Sequence, residues 1–164
     1  MKGALAVLGA LPLLAAAPAG RETLGVFGGW GAFRDRVPPR CFAIARPVAA
    51  GGRGGGFASV ATWLSPGAAR GLRNSLHVHL SRARDRSAPV TLSVGERRFA
   101  LVANTADAWA ADPASDHAIV AALRGGRSMS VEAVGEGGRP FADTYALGGA
   151  ATAIDAAALG CAGR

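Results

Sequence analysis

Lysine is almost absent from this chain: Lys2 is the only one, and every other basic side chain is arginine. Cysteine is scarce. Cys41 and Cys161 stand alone, with no C-x-x-C pair, which removes the usual spacing of a structural zinc site. No G-x-S-x-G segment occurs, so the nucleophile elbow of serine hydrolases has no support. The glycine-rich stretch AAGGRGGG at 49–56 lacks a following Gly-Lys-Ser/Thr and any helical pattern. It reads as a flexible loop and not as a phosphate cradle. Past residue 20 no apolar run approaches the roughly 18 residues that a membrane-spanning helix needs, so no transmembrane segment is expected. No internal repeat is visible.

What the chain does have begins at its first residues. Met1-Lys2 is a short basic start, ALAVLGALPLLAA at 4–16 is an apolar run too short for an anchor, and Ala17-Pro18-Ala19 is a small-x-small site. Basic start, apolar run and cleavage site together describe a secretory signal peptide over residues 1–19, with the mature chain beginning near Gly20. Gly20 offers no thiol for lipidation. The remaining 145 or so residues suit one globular domain, 20–164, with enough chain to bury a core. A periplasmic or secreted location follows.

The net charge is +7, and it falls by one when Lys2 leaves with the signal peptide. Arginine without lysine, in a chain rich in Ala and Gly, reads as the codon bias of a GC-rich genome, so the charge is weighed as a solvated surface. A basic exported protein can favour anionic headgroups or polysaccharide. Nucleic acid is not expected as a partner, because the chain leaves the cytoplasm. In an oxidising compartment, Cys41 and Cys161 most simply form one disulfide closing nearly the whole domain. Free thiols or intermolecular pairing are the alternatives.

Strand signals dominate the mature chain. Short apolar runs at 24–27 and 30–33 precede 40–46, where Cys41, Ala43 and Ala45 alternate with Phe42, Ile44 and Arg46, after a break at Pro38-Pro39. Phe57 to Leu64 reads as a strand and Ser65-Pro66-Gly67 as a turn. Ser75 to Ser81 alternates most cleanly, with Leu76, Val78 and Leu80 on one face and His77 and His79 on the other. Segments 90–94 and 97–103 form a hairpin around Gly95-Glu96. Asp112 as cap, Pro113 at the first position and the stripe Ile119, Val120, Leu123 predict an internal helix ending at Gly125. Strands at 128–134 and 141–147 follow around a turn at 135–138. A short C-terminal helix over 150–159 is expected to stop at Gly160. Seven to eight short strands with two helices point to a mainly β fold, an antiparallel sandwich or barrel-like domain.

Candidate chemistry is thin. His77 and His79, at i and i+2 on a strand, have metal-ligand geometry, with His117 or Asp85 as a distant third. The plainer reading is two exposed polar residues opposite a buried face. Arg82, Arg84 and Arg86 recur every second residue and, if extended, form a stripe able to grip phosphate or carboxylate. A solvated turn around Asp85, Ser87 and Pro89 competes. Asp107, Asp112 and Asp116 cluster loosely at the helix start, and Glu132 and Asp143 read as outward, solvated strand residues. Trp30, Trp63 and Trp109 read as core anchors. No catalytic set assembles, and no cofactor is expected.

Several stretches resemble the invasion-associated locus B family of exported bacterial proteins: FGGWGAF at 27–33 with RCFAIARP at 40–47, DAWAADPASDHAIVAALRGGRSMSVEAV at 107–134, and YALGGAATAIDAAAL at 145–159. They cover most of the mature chain in order, and the composition is similar to that of alphaproteobacteria, where the family is common. The resemblance implies a β-sandwich-like exported domain, with one founding member linked to host-cell invasion and no catalytic residues to carry over. Family members often hold another Cys near the position of Arg34 and a further pair in mid-chain. This chain keeps Cys41 and adds Cys161, so its pairing is the long-range one or none. The expected function is a non-enzymatic envelope or surface binding protein whose partner is an envelope or host-surface protein or a glycan. Two alternatives are a metal-dependent envelope hydrolase using His77 and His79, and a periplasmic chaperone or inhibitor acting by strand addition.

Overall fold

The computed structural model describes residues 20–64 and 72–162. The signal peptide at 1–19 and the turn at 65–67 lie outside the described residues, as does the side chain of Trp63. The described elements are β1 (Arg21–Phe27), β2 (Trp30–Arg36), β3 (Pro39–Ala45), β4 (Phe57–Leu64), β5 (Leu72–His79), β6 (Val90–Val94), β7 (Arg97–Ala103), β8 (Asp107–Ala110), α1 (Pro113–Gly125), β9 (Ser128–Val134), β10 (Pro140–Ala146) and α2 (Ala150–Ala162). The strands form one antiparallel sheet in the order β1-β2-β3-β4-β5-β8-β7-β6-β9-β10. Mainly β architecture with an internal and a C-terminal helix matches the expectation. The sheet is not closed into a barrel, because β1 and β10 share no ladder.

The two ends nevertheless meet. After β3 the chain crosses to β10, where Val48 N and Thr144 N exchange bonds of 2.7 Å with Thr144 O and Ala49 O. The indole of Trp30 donates to Ala146 O at 2.9 Å. Period-two alternation turns Cys41, Ala43, Leu76, Val78, Leu92, Val131 and Tyr145 inward to a single core, which the folded sheet and both helices share.

Helix α1 starts as its sequence requires. Asp112 has an extended backbone, and its carboxylate accepts from Ser115 N at 2.8 Å, with Pro113 in the first turn. Ile119, Val120, Ala122 and Leu123 are its buried stripe. Helix α2 runs past the expected stop. Gly160 lies inside it, because a Cβ there would sit 2.5 Å from Leu24 Cδ1 of β1. This glycine provides close packing and does not end the helix. The buried positions Ala150, Ala153, Ile154, Ala157 and Cys161 lay a small-residue face on β2, β3 and β4. Cys161 is disulfide-bonded to Cys41 of β3, 120 residues away, so the bridge ties the last helix to an early strand.

Three local readings are corrected. The segment expected as a flexible loop packs closely on its neighbours: Cβ atoms at Gly52 and Gly54 would collide with Ser81 O, and one at Gly51 with Phe141. Asp143 is not outward. It is fully buried on β10 and accepts from Gly51 N at 2.9 Å, Ser81 N at 2.8 Å and the Ser81 hydroxyl. A buried carboxylate is tolerated when several donors satisfy it, and here they also fix the loop. Finally, 107–110 is a strand, β8. It pairs with β5 and β7 and is so short that its alternation is invisible beside the helix signal that follows.

Candidate functional site

Strand β8 creates a surface where chemistry-bearing side chains converge. Its register sets Trp109 opposite His77 and Asp107 opposite His79 on β5. On the far side of β5, β4 sets Phe57 opposite His79, and on the far side of β8, β7 sets Val102 opposite Trp109. These side chains share the outer face of the sheet, since Val78 and Ala108, their neighbours in sequence, are fully buried on the inner one.

One carboxylate oxygen organises the group. Asp107 Oδ1 lies 2.9 Å from His77 Nε2 and 2.8 Å from His79 Nδ1. An ionised carboxylate only accepts, so both rings donate N–H to it. Burial raises the carboxyl's pKa, but the hydrogen bonds and charge interactions with His79 and His77 outweigh it and hold Asp107 below the usual carboxylate range. The rings tile around this point. Phe57 stacks on His79 with centroids 5.4 Å apart and meets His77 edge-on at 5.3 Å, and His77 stacks on Trp109 at 5.4 Å. Trp109 is 36% exposed and Val102 57%. Trp30 is a core anchor as expected, whereas Trp109 belongs to the surface.

The histidines therefore do meet a carboxylate, but from β8 and not from the turn: Asp85 instead accepts from Ser87 N and its hydroxyl. His117 sits on α1 beside a cavity of about 340 Å³ at the β5–α1 junction. Among the described residues no three His, Cys, Asp or Glu side chains are placed to hold a metal ion.

The fold has a solved counterpart. The chain is similar in structure to invasion associated protein B from Bartonella henselae, with a TM-score of 0.58 and 19% identity over 82% of this chain and 94% of that one. At that identity the likeness establishes the fold, in agreement with the resemblance read from the sequence motifs. No family model matches the chain, and no curated protein matches it.

The arginine stripe does not exist as a surface. Arg84 is buried, and its guanidinium donates to three backbone carbonyls: Asn104 at 3.1 Å, Ala88 at 2.8 Å and Arg86 at 2.9 Å. Arg82 is exposed and lies over the Phe141 ring at 5.4 Å, and Arg86 is exposed as well. The chain between β5 and β6 is a turn wound around the buried Arg84, which breaks the continuous three-arginine stripe.

Asp116 is likewise spent on structure. It accepts from Leu76 N at 2.7 Å, where β5 runs beyond the end of β8. Burial pushes its carboxyl up despite that bond. The outermost strand β1 is a poor template for strand addition. A bulge interrupts it between Thr23 and Gly25, and Arg21 and Glu22 charge it. Among the described residues no helix is long and apolar enough to cross a membrane.

Proposed function

We propose that this protein is exported, loses residues 1–19, and works as a single-domain binding protein of the bacterial envelope or surface, without catalysis of its own. The observation that carries the reading is the Cys41–Cys161 bridge. A disulfide tying an early strand to the last helix belongs to an oxidising compartment, and a leader pattern precedes it. The fold it shares with invasion associated protein B supports the same assignment. The titratable groups support a binding role. Asp143, Asp116 and Arg84 hold backbone in place, and on the surface a patch of rings gathers around Asp107.

Cell fractionation with thiol trapping tests this. The protein is expected in the periplasmic or secreted fraction, starting near Gly20 by mass, with neither cysteine alkylated before reduction. Recovery from the cytoplasm with both thiols alkylated overturns the reading.

A further inference from the structure

Resting on that reading, we infer that the outer-face cluster of Phe57, His77, His79, Val102, Asp107 and Trp109 is a binding site for a neutral saccharide. The chemistry of its open positions selects the ligand class. Asp107 Oδ1 is occupied by both imidazoles, while Oδ2 accepts no hydrogen bond among the described residues. Because His77 donates from Nε2 and His79 from Nδ1, the second nitrogen of each ring is left open, an acceptor on a neutral ring and a donor on a protonated one. The open positions are one carboxylate acceptor and two ring nitrogens that accept or donate with protonation state. A matching ligand brings groups that both donate and accept, which is what vicinal hydroxyls supply.

Around these positions the surface is aromatic and apolar, with the indole of Trp109 and the side chain of Val102 exposed side by side. A pyranose carries both parts at once: a C–H face that lies on an aromatic ring and hydroxyls around its rim. The other ligand classes fit less well. An anion meets the Asp107 carboxylate. A cation meets a chain of positive net charge, at a carboxylate that already shares one oxygen with two imidazole N–H groups. A purely apolar partner strands Oδ2 away from water, a costly outcome for a charged acceptor. The site is also stiff. Four rings in mutual contact on paired strands, two pairs stacked and one edge-on, lose little freedom on binding, which helps a shallow ligand bind.

The test is a titration of the intact, disulfide-bonded protein, followed by two-dimensional NMR. The probes are soluble neutral oligosaccharides of glucose, galactose, mannose and N-acetylglucosamine, with guanidinium and tetramethylammonium salts as cationic comparators. At least one sugar is expected to bind with a dissociation constant near the millimolar range, shifting the Trp109 indole and the His77 and His79 ring signals. Trp109→Ala and Asp107→Asn are each expected to weaken binding about tenfold or more, while Leu159→Ala, on the exposed side of α2, leaves it unchanged. The ring signals of the unmutated protein locate the site even if a variant folds poorly.

Absence of binding by every sugar overturns the inference, as do shifts confined to another surface or tighter binding of the cations. A protein that proves extracytoplasmic yet binds no sugar overturns this inference alone. A reduced, cytoplasmic protein overturns the envelope reading however the titration falls.

Discussion

Replacing Asp143 with alanine should be among the most damaging single changes in this protein. The carboxylate is fully buried on β10 and accepts from two backbone amides, Gly51 N at 2.9 Å and Ser81 N at 2.8 Å, and from the Ser81 hydroxyl. Hydrogen bonds to a charged group contribute about 1.5–3 kcal/mol each, but three bonds to one side chain are not independent. Truncation also strands the Ser81 donors at a buried position, since Ser81 and Asp143 are both withdrawn from solvent. A loss of about 3–5 kcal/mol is expected, about a fifth or more of the stability of an ordinary domain. Asp143→Asn keeps the volume and one acceptor but turns an NH₂ towards a donor, and should lose about 2–3 kcal/mol. Ser81→Ala removes one donor and should cost about 1 kcal/mol. Urea denaturation with the disulfide intact gives the three values, and amide exchange at Gly51 and Ser81 reports the loop directly. A loss below about 1 kcal/mol for Asp143→Ala, or unchanged protection at Gly51, would refute the view that this carboxylate pins the glycine loop.

Reduction of the Cys41–Cys161 bridge, whose ends lie 120 residues apart, should destabilise the protein by up to ~5 kcal/mol on the chain-entropy argument; unfolding curves with and without reductant measure it. Asp35 donates a further, pH-dependent test. The Arg21 guanidinium beside it, aided by Arg40 and opposed by burial, holds its carboxyl down to about 2. A carboxyl lowered on folding stabilises the protein above its unfolded pKa, so the gain is present at pH 5 and is lost as pH falls from 4 through 2. With half-exposed arginine partners it is worth about 1–2 kcal/mol, and Asp35→Asn should flatten that part of the stability profile. Arg84→Met keeps the buried stem but orphans three carbonyls, and should cost about 2–4 kcal/mol, whereas the exposed Arg86→Ala should stay within about 0.5 kcal/mol by thermal melting.

The two sequence patterns with clear periods were legible. Alternation of Leu76, Val78 and Leu80 fixed which face of β5 carries the histidines, and Asp112-Pro113 with its apolar stripe gave α1 residue by residue. Apart from the lone cysteine pair, what went unread were positions whose role depends on a distant partner. Asp143 has the local context of a solvated strand residue and becomes a buried clamp only because Gly51 and Ser81 arrive there from elsewhere in the chain. Gly160 looks like a helix stop until Leu24 is packed against it. β8 carries only Asp107–Ala110, four residues in which no alternation can be recognised, and without it Asp107 and Trp109 could not be placed beside His77.

The sequence alone therefore determined the alternating faces, the helix start, the pairing partners available to two lone cysteines and the absence of a local catalytic motif. These are properties of neighbours a few residues apart, where backbone geometry and side-chain period act directly. The tertiary structure alone decided that the sheet would carry β8 between β5 and β7. That placement gathers two histidines, an aspartate, a phenylalanine and a tryptophan from three strands onto one outer face. Strand order is set by which apolar faces can be buried together, a competition among the whole set of strands that no single segment records.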